Sequence, residues 1–98
     1  MKRRRSNEQS LKEALDGLVD AYGLREKLDE QSITSVWDEV AGGMVARHTT
    51  GVKLRRGKLY IKVDSAPLRV ELGFMRGTLI ELLNQRIGRA VVQEMTVE

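Results

Sequence analysis

The sequence predicts an α+β fold, with helices packed on one face of a small three-stranded sheet and elements in the order α-α-β-β-α-β. Three observations predict it. Apolar residues recur at helical spacing from Leu11 to Val40, and again from Leu68 to Leu83. Between these runs, Val52 to Val63 alternates apolar and polar residues around a central Arg56-Gly57. A shorter, less regular alternation covers Val91 to Val97. At 98 residues, 41% hydrophobic and 32% charged, one domain with one modest core is the natural count.

The first helix opens on Ser6-x-x-Gln9, the spacing of a capping box. Leu11, Leu15, Leu18, Val19 and Tyr22 then form one stripe, with Lys12, Glu13, Asp16 and Asp20 off it, and Gly23 ends the run. Leu24 and Leu28 allow a short second helix. Ile33, Val36, Trp37 and Val40 carry a further one, with Ser32 as its candidate N-cap and Gly42-Gly43 as its stop. Next comes the hairpin. With Arg56-Gly57 as a two-residue turn, Arg55 faces Lys58, Leu54 faces Leu59 and Val52 faces Ile61, the glycine supplying a positive φ. That register gathers the aliphatic residues on one side and leaves Lys53, Arg55, Lys58, Tyr60 and Lys62 on the other. Asp64 or Ser65 caps a long helix with Pro67 in its first turn; its apolar face is Leu68, Leu72, Met75, Leu79, Leu82 and Leu83, and Gly88 stops it. The third strand carries Val91, Met95 and Val97 on one face, with Gln93 interrupting.

Composition removes several classes of function. There is no cysteine, hence no disulfide, thiolate zinc site, iron–sulfur cluster or cysteine nucleophile, and a single histidine leaves no His-rich metal centre. The start Met-Lys-Arg-Arg-Arg is followed by no apolar run, so neither a secretory signal nor a membrane span is expected, and the expected location is cytoplasmic. The net charge of +3 hides an asymmetry. Residues 1–5 carry four bases, residues 6–46 three bases against nine acids, and residues 47–98 ten bases against five acids. Arg47, Lys53, Arg55, Arg56, Lys58 and Lys62 fall within sixteen residues that contain no acid. An acidic half and a basic half meet different partners.

The basic strand face is the sharpest candidate site. Like charges opposite one another on neighbouring strands are destabilising, and an anion laid across them relieves the repulsion. Phosphate backbones are the commonest extended anion, and each contact brings salt-dependent affinity through counterion release. Tyr60 among the cations offers a ring for an unpaired base. The candidate nucleic-acid-binding residues are therefore Arg47, Lys53, Arg55, Arg56, Lys58, Tyr60 and Lys62. The plainer account is a solvated face that guards a sheet edge. The Lys2–Arg5 run reads equally as an anion-binding arm or as solvated charge. An RNA-recognition sheet uses two or three stacking rings, and only Tyr60 is placed for that, which argues against sequence-specific base reading. Trp37 belongs to the core stripe. His48 has no nucleophile or paired carboxylate spaced to work with it, which favours a hydrogen-bonding role at the junction of the two halves. Gly73 and Gly77 point to local packing or a bend, and Gly42-Gly43 lacks the lysine of a phosphate loop. No catalytic, metal-binding or cofactor-binding residue is nominated, and no enzyme activity is expected.

The ordered motifs bear a family likeness. Ser35-Val36-Trp37-Asp38-Glu39-Val40-Ala41-Gly42, then Ala46-Arg47-His48-Thr49-Thr50, resembles the Trp-Gly-His-Thr block of the DciA-like family. Gly57-Lys58-Leu59-Tyr60-Ile61-Lys62-Val63-Asp64-Ser65 resembles its glycine-led strand ending in Ser, Glu71-Leu72 its helix start, and Leu82-Leu83-Asn84 with Gly88 its helix exit. The likeness spans roughly residues 8 to 97. It implies a KH-like domain over residues 8–98; the basic residues before it, 1–7, read from composition as a disordered arm. It also implies a role with the bacterial replicative helicase, promoting its loading onto DNA, together with single-stranded DNA binding. The basic strands and Arg47 are the positions that would carry the latter. Two departures stand out. A KH domain uses a Gly-x-x-Gly loop between two helices, whereas Gly73 to Gly77 is one residue longer and falls inside the predicted helix. The long disordered extension or cysteine-rich segment of some relatives has no counterpart here. Beside a DNA-binding adaptor stand two alternatives, a KH-like RNA-binding protein and a protein-only interaction module.

Overall fold

The computed structural model describes the backbone of residues 2–98 and the side chains of residues 8–98; the arm expected over residues 1–7, with its Lys2–Arg5 run, lies outside the described side chains. The elements are α1 (Lys2–Ala21), α2 (Arg25–Ala41), α3 (Gly43–His48), β1 (Thr49–Arg55), β2 (Lys58–Val63), α4 (Ala66–Phe74), α5 (Arg76–Ile87) and β3 (Glu94–Val97). The fold is α+β in the expected order, with α3 added and the long helix divided in two.

The sheet runs β1-β2-β3. β1 and β2 pair antiparallel, with Arg55 opposite Lys58, Leu54 opposite Leu59 and Val52 opposite Ile61. Arg56 and Gly57 both have positive φ, 50° and 79°, the geometry of a two-residue hairpin turn that matches strand twist. The expectation placed positive φ on Gly57 alone; Arg56 shares it. β3 pairs with β2 in parallel, Leu59 beside Met95 and Tyr60 beside Thr96, so the chain crosses over through α4 and α5 to return in the same direction.

The core lies between one sheet face and the helices. Leu54, Leu59, Ile61, Val63 and Met95 from the sheet meet Ile33 and Trp37 of α2, Leu72 of α4, and Leu79 and Leu83 of α5. Ser65 caps α4, its hydroxyl accepting the Leu68 N–H, so the serine rather than Asp64 fills that place. Asn84 ties the approach to β3: its Oδ1 accepts the N–H groups of Val91 (3.0 Å) and Val92 (2.8 Å), and its Nδ2 donates to Val92 O (2.9 Å). Two ion pairs, Asp29–Arg89 and Glu39–Arg86, link α2 to α5 and the turn that follows it. Trp37 is buried and donates its Nε1–H to Thr49 Oγ1, and His48 Nδ1 lies 2.8 Å from Asp64 Oδ1, both as structural roles at the junction.

Four expectations require correction. Leu24–Val40 forms no pair of short helices: α2 runs unbroken from Arg25, and Ser32 sits inside it, its hydroxyl donating back to Leu28 O. Gly42 does end α2, at φ 94°, but Gly43 opens α3 directly. The helix predicted after Ser65 breaks at Met75, whose φ of −103° and ψ of 7° leave the helical range, so Gly73–Gly77 forms a corner between α4 and α5. That break turns Phe74 out, 87% exposed, and leaves Met75 and Leu82 exposed as well. Finally, the α1 stripe is not core: Leu11, Leu15, Leu18 and Tyr22 are all exposed. The end of α1 is held by Arg25, which pairs with Asp16 and Asp20; the hydrogen bond it donates to Asp16 outweighs desolvation and, with the charge of Asp20, raises the arginine pKa above its usual value.

Candidate nucleic-acid interface

The hairpin delivers its cations to the face away from the helices. Its inward residues are buried or half-buried, while Lys53, Arg55 and Lys62 are exposed and Lys58 and Tyr60 half-exposed. Strand alternation fixes this partition. Lys53 stands opposite Tyr60, and Arg55 opposite Lys58, so three cations and one ring form two adjacent cross-strand pairs. The Lys58 ammonium lies over the Tyr60 ring, 5.3 Å from its centroid. Among the described residues, none of Arg47, Lys53, Arg55, Arg56, Lys58 or Lys62 takes part in an ion pair; the five pairs present all lie elsewhere.

The nearest acids of α2 are otherwise engaged. Glu30 Oε2 accepts the Leu54 N–H at 2.9 Å, and Glu26 Oε2 accepts the Arg56 N–H at 2.9 Å. β1 is an edge strand. In a two-residue hairpin the N–H of Leu54 points outward, so these carboxylates occupy main-chain donors that another strand would otherwise seek.

Two shallow concavities shape the face. One of about 500 Å³ is lined by Lys53, Arg55, Tyr60 and Lys62, with Thr50 and Glu98 at its margin. The other, about 520 Å³, sits at the hairpin tip among Arg55, Arg56, Lys58 and Tyr60, with Gln93 and Glu94 alongside. Six of the seven nominated residues thus share this region. Arg47 does not: it belongs to α3 and lines neither concavity. Sequence reasoning missed the contribution of β3. Glu94 stands beside Lys58, Thr96 beside Tyr60, and Glu98 N–H bonds Ile61 O, so β3 and the residue just after it lay two carboxylates along the border of the basic face. Only the parallel crossover brings them there, and no local pattern signals it. Among the described residues no group of three or more His, Asp or Glu side chains is placed to hold a metal ion, and no helix is long and apolar enough to cross a membrane.

Comparison with known proteins decides the family. The model described as "Dna[CI] antecedent, DciA" matches residues 10–97, nearly the whole chain. The chain belongs to the DciA family. A DciA-family relative, a UPF0232 protein of Corynebacterium glutamicum (strain R), is 24% identical over 89 residues. That match covers 91% of this chain and 50% of the relative, so the chain spans about half the length of the curated relative it matches. No solved structure matches. The DciA match takes in every nominated strand residue, along with Trp37, Thr49 and Asn84, whose hydrogen bonds hold the junction and the approach to β3. DciA is a helicase-loader-related family.

Proposed function

We propose that this DciA-family chain is a non-enzymatic adaptor of cytoplasmic DNA replication. It binds single-stranded DNA electrostatically along the open face of β1 and β2 and assists loading of the replicative helicase. The observation that carries this reading is the shared projection of Lys53, Arg55, Lys58 and Lys62, without an ion-pair partner among the described residues. A single strand tracking this face meets phosphate partners along both strands of the hairpin and one ring on which a base can stack. The acidic helical half is the side we assign to the helicase, since α1 keeps Leu11, Leu15, Leu18 and Tyr22 exposed beside its acids. The pair α4–α5, joined by a glycine-flanked corner on one face of a three-stranded sheet, supports the KH-like reading.

The test is a salt titration of binding to matched single-stranded DNA, single-stranded RNA and duplex. Single-stranded DNA is expected to bind with an affinity that falls steeply with salt. Reversing Lys53, Arg55, Lys58 and Lys62 together to glutamate is expected to abolish binding while circular dichroism stays native. Intact binding in that variant removes the hairpin from the site. A clear preference for RNA supports the RNA-binding alternative. No binding at low salt, with a helicase pull-down that survives nuclease, supports the protein-only one.

A further inference from the structure

We infer that the concavity at the hairpin tip is a subsite for a single nucleotide, one that favours bases carrying an exocyclic amino group. The inference rests on the nucleic-acid reading above and adds a base preference to it. Its two walls differ in chemistry. The hairpin wall brings Arg55, Arg56 and Lys58, cations suited to a phosphate, and the ring of Tyr60. Beside it, where the chain enters β3, stand the Gln93 amide and the Glu94 carboxylate, both exposed. The concavity is shallow and open to solvent, a surface on which a base can lie flat.

The pocket is held in shape by main-chain ties. Gly57 O accepts the N–H groups of Gln93 (2.7 Å) and Glu94 (3.2 Å), which fastens the second wall to the first. The Gln93 side chain lies against Gly57, where a Cβ would come within 3.1 Å of its amide carbon. Glu26 also lines the pocket, but one of its oxygens is bound to the Arg56 N–H. Glu94, the cross-strand neighbour of Lys58, is paired with no cation among the described residues. A carboxylate among phosphate-binding cations weakens a purely electrostatic site. It suits a base edge that donates, because a carboxylate accepts from an amino group and repels a carbonyl oxygen.

Occupancy follows from these positions. A base laid on Tyr60 displaces the Lys58 ammonium from the ring and frees it for the nucleotide's phosphate. The edge of the stacked base then faces Gln93 and Glu94. Cytosine presents N4–H₂ where thymine presents O4, so two bases of nearly equal size meet the Glu94 carboxylate with opposite polarity.

The experiment compares oligo-dC, oligo-dT and oligo-dU of equal length on the intact chain at fixed salt and neutral pH. Oligo-dC is expected to bind about tenfold more tightly than oligo-dT. Oligo-dU should bind like oligo-dT, which excludes the thymine methyl as the cause. Glu94→Gln removes a charge that repels DNA, so it is expected to raise oligo-dT affinity while reducing the dC/dT ratio to about one. Gln93→Ala, judged by the same ratio, should lower it partway. Equal binding of dC and dT, or a preference that survives Glu94→Gln, overturns the subsite and leaves the basic-face reading standing. Binding of none of the three at low salt overturns both.

Discussion

The Glu30 carboxylate accepts the main-chain N–H of Leu54 at 2.9 Å, although 24 residues separate them. A helix side chain thus satisfies an edge-strand donor that would otherwise face solvent or another chain. Glu30→Ala is expected to lower stability by about 1 kcal/mol, since hydrogen bonds to charged groups are worth about 1.5–3 kcal/mol and this site is half-exposed. Urea denaturation measures the loss. Glu30→Gln, which keeps an acceptor oxygen, should recover part of it.

Leu59 is fully buried, whereas Leu15 is 53% exposed despite lying on a regular helical stripe. Leu59→Ala is expected to cost about 2–5 kcal/mol, and Leu15→Ala about 0.5 kcal/mol or less. Equal losses in chemical denaturation would place α1 back in the core.

Asn84 makes three hydrogen bonds to the chain entering β3. Asn84→Ala leaves two amides and a carbonyl without that partner, at an expected cost of about 2–3 kcal/mol. Asn84→Asp keeps both acceptor contacts but sets a carboxylate oxygen against Val92 O where the amide donated, so it should destabilise as well. Amide hydrogen exchange at Val91 and Val92 is expected to accelerate in the alanine variant before other core amides do.

Salt dependence separates the nominated cations. Four phosphate contacts on a single strand give a slope of about −3 in log affinity against log salt. Substituting Lys53 or Lys62 by alanine should reduce its magnitude by about 0.7, the share of one neutralised phosphate. Arg47→Ala should change it less, because Arg47 stands apart on α3. A larger effect at Arg47 than at Lys53 would move the binding path off the sheet.

The hairpin is the most legible part of the chain. Its alternation and two-residue turn fix register together, so Leu54–Leu59 and Lys53–Tyr60 follow from local pattern alone. The α1 stripe shows the limit of periodicity: spacing reveals which residues share a side but not whether anything covers it. Ser32 misleads because a capping residue type inside a helix can bond back to the carbonyl four residues earlier. The break at Met75 has no proline to announce it, only the flanking glycines. Glu94 and Glu98 reach the basic face through a parallel crossover, a tertiary event with no signature within either strand.

The hairpin tip is fastened on two sides, by Glu26 to the Arg56 N–H and by Gly57 O to the amides of Gln93 and Glu94. Reverse turns at the end of a strand pair are ordinarily the safest places to splice a peptide tag or attach a fluorophore. Here an insertion between Arg56 and Gly57 severs both moorings at once. Labels for single-molecule work on this chain belong instead on the outward side of α5, at Gln85, where the side chain is exposed.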